Sequence, residues 1–344
     1  MNLNPPLSLP STVSRLDVVA WTLMGIGLFL VLYLRLLPAL LGGLLVFELV
    51  RILTPLVRRA QIDRDWARII VVAAISMLVV MALSLLIFGV ISFFRSDAGN
   101  LSVLMQKLAE ILDQSRNRLP EWIVANLPET AEELRAASTA WLREHSAALQ
   151  GVGKDFARAL VHILIGMVVG SLLALSEAIT VVGRRPLAAA LVERTERLSR
   201  SFRRVVFAQV WIAAVNASLT GLYLAVILPL MGVNLPLTKT LIAVTFVCGL
   251  LPVVGNLISN TIIVVVSLSN SLFVAIGSLT YLVVIHKLEY FLNARIIGSR
   301  IRARAWEMLI AMLMMEAAFG VAGLIAAPIY YAYLKDELQD KALV

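Results

Sequence analysis

Long apolar runs separated by short polar stretches dominate residues 1–94 of the chain. After a polar tail, one run covers residues 18–37, and Pro38 predicts a tight turn before a shorter run over 39–53. A third run follows over 69–94. Because a helix needs about 20 apolar residues to cross a bilayer, segment 1–94 is predicted to contain the N-terminal tail and three membrane spans.

The pattern becomes amphipathic between residues 95 and 156. Leu and Ile recur there at helical spacing, with charges of both signs between them, and Pro120 and Pro128 divide the segment. This periodicity is typical of helices with one apolar face. We therefore expect segment 95–156 to form a small helical domain outside the membrane, on the extracytoplasmic side.

The chain then returns to apolar sequence, and a fourth span is predicted over 157–182. Within it, Gly166 and Gly170 form a G-x-x-x-G pattern, which allows two helices to approach closely. Segment 183–205 is rich in arginine, which predicts a cytoplasmic amphipathic linker along anionic headgroups. Residues 206–344 are expected to form a transport core.

Composition agrees with a membrane protein. Of the 344 residues, 60% are hydrophobic and 15% are charged, which is more apolar surface than a soluble domain can bury. The net charge of +8 comes from basic clusters beside apolar runs, which favours cytoplasmic termini and does not indicate a nucleic-acid partner. The predicted fold class is all-α, a polytopic helical membrane protein with about eight membrane segments.

Two apolar segments of the predicted core are interrupted by helix-breaking residues. One contains Pro252 and Gly255, and the other contains Gly320 and Gly323. A break exposes backbone groups that survive at membrane depth only inside protein or beside water, and paired breaks are typical of transporter binding sites. These segments are predicted to be two re-entrant hairpins that enter from opposite faces. Two kinked helices that cross the membrane fully are the alternative.

Ionisable residues inside apolar segments are candidates for transport chemistry, because each costs roughly 2.5–3.5 kcal/mol at the centre of a membrane helix. Glu316 lies among methionines and alanines beside the second break. We interpret it as a carrier of a proton or cation, or as a solute contact. The alternative is a buried carboxyl that bonds to backbone at the break. Glu289 shares a helical face with Asn293 and either gates the connector or pairs with an arginine.

Polar side chains form a stripe along the predicted fifth span, at helical spacing: Gln209, Asn216, Thr220 and Tyr223. They either bond to a polar, uncharged solute or bond to neighbouring helices. Asn256 and Asn260, directly after the first break, are better candidates for binding a hydroxylated solute together with exposed backbone. Glu48 lies near a span end and is expected to reach water.

No motif in the chain indicates an enzyme. H-E-x-x-H and G-x-S-x-G are absent, and the three histidines lack the spacing of metal ligands. Cys248 is the only cysteine, which leaves no pair for an internal disulfide. We predict no catalytic residue, no metal site and no cofactor.

Motifs in the last third of the chain resemble those of a known family. They are, in order, Pro252-Val-Val-Gly255, Glu289 with Asn293, Ile296-Ile297-Gly298, and Phe319-Gly320-x-x-Gly323 followed by Pro328. The chain resembles the autoinducer-2 exporter family of bacterial inner-membrane permeases, although Ala294 and Ala305 stand where that family usually has prolines. The resemblance implies a multi-pass exporter of small molecules that moves like an elevator and assembles as a homo-oligomer, a pentamer in known cases.

Three functions remain open from the sequence. The first is a secondary permease that exports a small polar metabolite or signalling molecule, with the lipid bilayer and the solute as its partners. The second is an antiporter that exchanges Na⁺ or another cation for protons, with Glu316 carrying the ion. The third is a membrane scaffold, which would not need two broken segments inside the membrane.

Overall fold

A computed structural model describes residues 14–95, 131–176, 185–250, 254–268, 270–301 and 304–343 of the chain. The helices among these residues are α1 (Arg15–Tyr33), α2 (Leu37–Arg58), α3 (Arg64–Arg95), α4 (Ala131–Glu144), α5 (Ser146–Ser176), α6 (Pro186–Leu222), α7 (Thr238–Gly249), α8 (Val254–Leu268), α9 (Leu272–Ile301) and α10 (Ala305–Asp340). A π turn, Tyr223–Ile227, and a helical turn, Leu228–Leu230, continue α6. The predicted all-α fold class is confirmed.

Six helices of the described chain are long and apolar enough to cross a membrane: α1, α2, α3, α5, α6 with its continuation, and α10. The apolar helices α7 and α8 are shorter, at 12 and 15 residues. The protein is therefore a multi-pass helical membrane protein, as the apolar runs of the sequence predicted.

Local sequence explains where the first two helices begin. Ser14 caps α1, because its hydroxyl accepts a hydrogen bond from the Asp17 backbone N–H at 3.1 Å, and the Asp17 carboxylate accepts one from the Ser14 N–H at 3.0 Å. Arg35, with φ 58°, lies in the turn between α1 and α2. Pro38 lies in the first turn of α2, where its missing N–H leaves no helical bond unmade. The predicted turn lies just before Pro38, and Pro38 itself is already part of the helix.

Two helices run further than the sequence segments suggested. α5 begins at Ser146, so it includes residues that we expected outside the membrane. α6 joins the arginine-rich segment and the fifth span in one helix of 37 residues. Neither helix contains a proline beyond its first residue, so no residue stops the backbone hydrogen bonding. Residues 96–130, the first part of the predicted outer domain, lie outside the described residues.

The chain divides into two compact units. Unit 1 comprises Met1–Val72, Ala159–Ala208 and Ile296–Val344, and unit 2 comprises Ala73–Arg158 and Gln209–Arg295. The unit boundaries fall inside α3, α5, α6 and α9. Sequence analysis did not predict this division, because no linker separates the units.

Small residues bring α2 and α5 into close contact in unit 1. A Cβ added at Gly166 would overlap the carbonyl oxygen of Ala39, and a Cβ added at Gly170 would overlap that of Gly43. Close backbone approach of this kind allows dispersion contacts that larger side chains would prevent. The helix contact predicted from G-x-x-x-G is confirmed, and its partner is α2.

Each unit has its own apolar core. The core of unit 1 joins α2, α6 and α10 through Leu44, Leu198, Phe202, Val205, Ile329, Ala332 and Tyr333. The core of unit 2 joins the π turn, the loop after it, α7, α8 and α9 through Tyr223, Leu224, Leu228, Leu235, Leu241, Ile263 and Leu282.

The π turn in unit 2 has a local cause. Pro229 has no N–H to donate to the carbonyl four residues earlier. The preceding Leu228 N–H bonds instead to the carbonyl of Tyr223, five residues back. The wider turn directs the Tyr223 side chain into the core, where it is 5% exposed. Turns of this kind are frequent at functional sites.

Candidate functional site

The first predicted break lies in unit 2, between α7 and α8. α7 ends at Gly249, and the next helix begins at Val254. A Cβ added at Gly255 would overlap the carbonyl oxygen of Cys248, so the chain turns back and the two helices pack against each other. We call α7 and α8 the first hairpin. Pro252 lies outside the described residues.

The second break lies in unit 1, within α10. Gly320 has φ 61° and ψ −143°, a backbone conformation that residues with a Cβ rarely adopt. Beyond it the chain folds back, because a Cβ added at Gly323 would overlap the carbonyl oxygen of Met315. The two arms of α10, before and after Gly320, form what we call the second hairpin.

An ion pair between the two arms confirms this fold-back. The Nζ of Lys335 lies 2.6 Å from Oε2 of Glu307, and the Tyr331 hydroxyl donates a hydrogen bond to the same oxygen at 2.5 Å. A continuous helix would separate residues 307 and 335 by about 42 Å. A kinked helix that runs along one axis therefore does not fit α10.

Two amide side chains of α6 contact the first hairpin on both sides of its break. Gln209 donates a hydrogen bond from Nε2 to the carbonyl oxygen of Gly249 at 2.7 Å. Asn216 donates from Nδ2 to Oδ1 of Asn256 at 2.9 Å, and both asparagines are buried. Of the two interpretations of the polar stripe, these contacts support bonding between helices.

Hydroxyl groups continue the polar stripe into the interior of unit 2. Thr220 is fully buried, and its Oγ1 has no hydrogen-bond partner among the described residues. The Tyr223 hydroxyl lies 3.1 Å from Oγ of Ser278, which in turn lies 2.7 Å from Oγ of Ser267. Tyr281 stacks on Tyr223 with ring centroids 4.1 Å apart.

Sequence analysis missed three members of this group: Ser267, Ser278 and Tyr281. A signal for them exists, because each is a hydroxyl residue inside an otherwise apolar helix. Ser278 and Tyr281 are also three residues apart, which places them on one face of α9.

The other predicted site residues occupy varied surroundings. Asn260 is half-buried, one turn after Asn256 on α8. Glu316 is exposed and makes no hydrogen bond or ion pair with another described residue, so the alternative of a buried carboxyl bonded to backbone is wrong. The side chains of Glu289 and Asn293 lie outside the described residues.

Glu48 does not reach water, contrary to the expectation from its position near a span end. Glu48 is only 3% exposed. Oε1 accepts a hydrogen bond from Oγ of Ser199 at 2.6 Å, and Oε2 lies 3.7 Å from the Arg203 guanidinium. Both partners come from α6, and they offset the cost of burying the carboxylate.

Ion pairs connect the ends of α1, α6 and α10 in unit 1. The Asp17 carboxylate accepts a hydrogen bond from Arg194 at 2.5 Å and another from Lys341 at 3.0 Å. Arg197 donates to Asp340 at 2.6 Å. We call these five residues the terminal network. Two arginines that we expected to face lipid headgroups, Arg194 and Arg197, therefore bind carboxylates of the protein.

Similarity to a protein family extends over nearly the whole chain. The sequence model of a protein family, described as AI-2E family transporter, matches residues 18–342. This range includes both hairpins, the polar stripe and all of the terminal network except Asp17. No curated protein and no solved structure matches the chain significantly. The chain belongs to the AI-2E transporter family.

Proposed function

We propose that this membrane transporter is a secondary permease that exports a small polar solute across the bacterial inner membrane. The observation that supports it most directly is the pair of hairpins, each turned beside a glycine, Gly255 or Gly323, that has no room for a Cβ. Turned helices present backbone N–H and C=O groups to a solute. The family resemblance further supports export by an elevator-like movement and assembly into a homo-oligomer, with a pentamer as the expected form.

The proposed solute site lies at the break of the first hairpin. Gly255, Asn256 and Asn260 supply backbone and amide groups there, Asn216 of α6 holds the Asn256 side chain, and Thr220 of α6 supplies a buried hydroxyl. All of these groups are uncharged. They fit a hydroxylated, uncharged solute better than an ion, because an uncharged solute needs hydrogen bonds and no counter-charge.

The terminal network is proposed to lie on the cytoplasmic side. Arginines cluster along the first half of α6 and after α2, and short basic segments of membrane proteins remain preferentially in the cytoplasm. The described ends of the chain, near Asp17 and Lys341, would then both be cytoplasmic.

The test is solute flux in proteoliposomes, measured with radiolabelled mannitol as a hydroxylated, uncharged probe. Gly255→Ala is expected to reduce flux at least about tenfold, because overpacking of this kind costs about 1–3 kcal/mol and would displace the turn. Gly277→Ala in α9 is the matched control, since its Cβ would lie 3.9 Å from the Tyr223 hydroxyl, an ordinary contact. Equal flux of both variants, at matched monodispersity in detergent, would contradict the proposal.

Cation–proton antiport is the second candidate, because the exposed Glu316 carboxylate beside the second break has no partner among the described residues. Glu316→Gln separates the two functions. An antiporter should lose Na⁺-driven proton movement in this variant, since the amide cannot bind and release a proton. A permease for an uncharged solute should keep most of its flux. Gln339→Glu, which adds a carboxylate elsewhere on α10, serves as a charge control.

A further inference from the structure

The carbonyl of Gly249 occupies an exceptional position in the first hairpin. It closes α7, and the last carbonyls of a helix have no N–H partner within that helix. No backbone N–H of the described residues bonds to this carbonyl. Gly249 is also buried, and a buried carbonyl without a hydrogen bond is costly. A partner from another element is therefore required to hold the end of α7 in this position.

Gln209 supplies that partner at a point where α6 and α7 approach closely. Its Nε2 lies 2.7 Å from the Gly249 oxygen. One turn later on α6, Ala213 lies so near that a Cβ added at Gly249 would come within 3.2 Å of the Ala213 Cβ. Small residues at this contact bring the two backbones together, and the glutamine side chain spans the remaining gap. Asn216 then contacts the other side of the break through Asn256.

We propose that Gln209 is a positioning residue that holds Gly249, at the end of α7, in the place that the first hairpin needs to bind solute. This inference rests on the proposed function, because it takes the break as the solute site. Gln209 acts through the Gly249 carbonyl and need not touch the solute. Without the hydrogen bond, the end of α7 samples other positions, and the solute binds only the fraction of molecules in which Gly249 is correctly placed.

The first test is Gln209→Met, which keeps the length of the side chain and removes the donor. We expect the KM for solute flux to rise about tenfold, since leaving one buried carbonyl unpaired shifts an equilibrium by roughly that factor. The kcat should change less than about twofold, because the same bound state forms once solute is present. Ser218→Ala on the same helix is the control, since its exposed hydroxyl bonds only to the Ala214 carbonyl of α6.

A second variant distinguishes positioning from general packing. In Gln209→Glu, the protonated carboxyl can donate to the Gly249 carbonyl, whereas the carboxylate cannot. The KM of this variant should therefore approach the wild-type value below about pH 5 and rise above about pH 8. Gln209→Met should show no such rescue at low pH. A KM of Gln209→Glu that follows the wild-type pH profile would overturn the inference.

Hydrogen exchange of residues 238–268 provides a readout that does not depend on transport. Amides of the first hairpin should exchange at least about tenfold faster in Gln209→Met than in the wild type and in Ser218→Ala. Unchanged exchange overturns the inference, and so does faster exchange with an unchanged KM, because the bond would then be only structural. If the wild type moves no solute, the proposed function fails, while exchange still decides whether Gln209 holds the end of α7.

Discussion

At the scale of single residues, Thr220 differs from the other buried polar groups of unit 2. Its side chain is fully buried and Oγ1 has no partner among the described residues, whereas the hydroxyl of Thr245, equally buried, bonds to the Leu241 carbonyl at 2.9 Å. An unsatisfied buried hydroxyl lowers stability. A function can compensate for this loss of stability. The function that we propose for the Thr220 hydroxyl is to bind a hydroxyl group of the solute.

The variant Thr220→Val tests this use. Val has nearly the same shape and lacks the hydroxyl, so the free energy of unfolding should be unchanged or rise by up to about 1 kcal/mol. Solute flux should nevertheless fall. Thermal unfolding in detergent and flux in proteoliposomes measure the two effects. Thr245→Val, as control, should unfold at a lower temperature and keep its flux, and equal flux of both variants would remove Thr220 from the site.

Sequence spacing predicted which polar residues share a face of α6, because a helical repeat fixes that geometry. It could not predict their partners. The contact between Asn216 and Asn256 joins residues 40 positions apart, and the contact between Tyr223 and Ser278 joins residues 55 apart. Such pairs depend on how helices pack, which a single sequence does not specify.

At the scale of elements, the α2–α5 contact depends on the absence of side chains. Gly166→Ala should lower the free energy of unfolding by about 1–3 kcal/mol, because the new Cβ would overlap the Ala39 carbonyl and force the helices apart. The apparent melting temperature in detergent measures this loss. Gly27→Ala in α1 is the matched control, since nothing lies within 4 Å of its added Cβ. A similar melting temperature for the two variants would contradict the close contact.

The second hairpin makes a prediction about distance. In a Cys248→Ala background, cysteines at Glu307 and Lys335 should be joined in high yield by a short bismaleimide, because the native side chains are in contact. A continuous helix would hold them about 42 Å apart. Proteolysis within the turn followed by electrophoresis detects the link between arms. Absence of the link, with each cysteine labelled separately, would show that α10 does not fold back.

Proline and glycine positions predicted where both hairpins turn, because these residues interrupt helical hydrogen bonding. The lengths of α5 and α6 were harder to predict. A change from basic to apolar sequence suggested a boundary near residue 205, but charge alone does not end a helix. Arg197 lies inside this continuous helix, where carboxylates of α6 and α10 bind it.

At the scale of the whole molecule, the terminal network joins parts of the chain that are far apart in sequence. Arg197→Gln should lower the free energy of unfolding by about 1–3 kcal/mol, because the half-exposed Asp340 loses a charged hydrogen bond and the buried Glu337 loses a nearby positive charge. Arg200→Gln, one turn away and exposed, should change it by less than about 0.5 kcal/mol. Chemical denaturation in micelles compares them, and equal stability would show that the network contributes nothing.

Composition and apolar runs predicted the class of protein and most of its spans. They did not predict the two units, because the segments that form unit 1 and the segments that form unit 2 alternate along the chain. Asp17 and Lys341 are 324 residues apart and meet at 3.0 Å. Contacts of that range follow from the packing of unit 1, to which both residues belong.

The contact between Asp17 and Lys341 has a consequence for the parity of membrane crossings. Two side chains that meet must lie at the same bilayer surface, so the chain between them crosses an even number of times. If α1, α2, α3, α5, α6 and α9 each cross once, the count is already even. The two hairpins must then add an even number of crossings, so either both cross the membrane or neither does. Because α10 folds back on itself, this count would require the first hairpin, too, to leave the membrane on the side from which it enters.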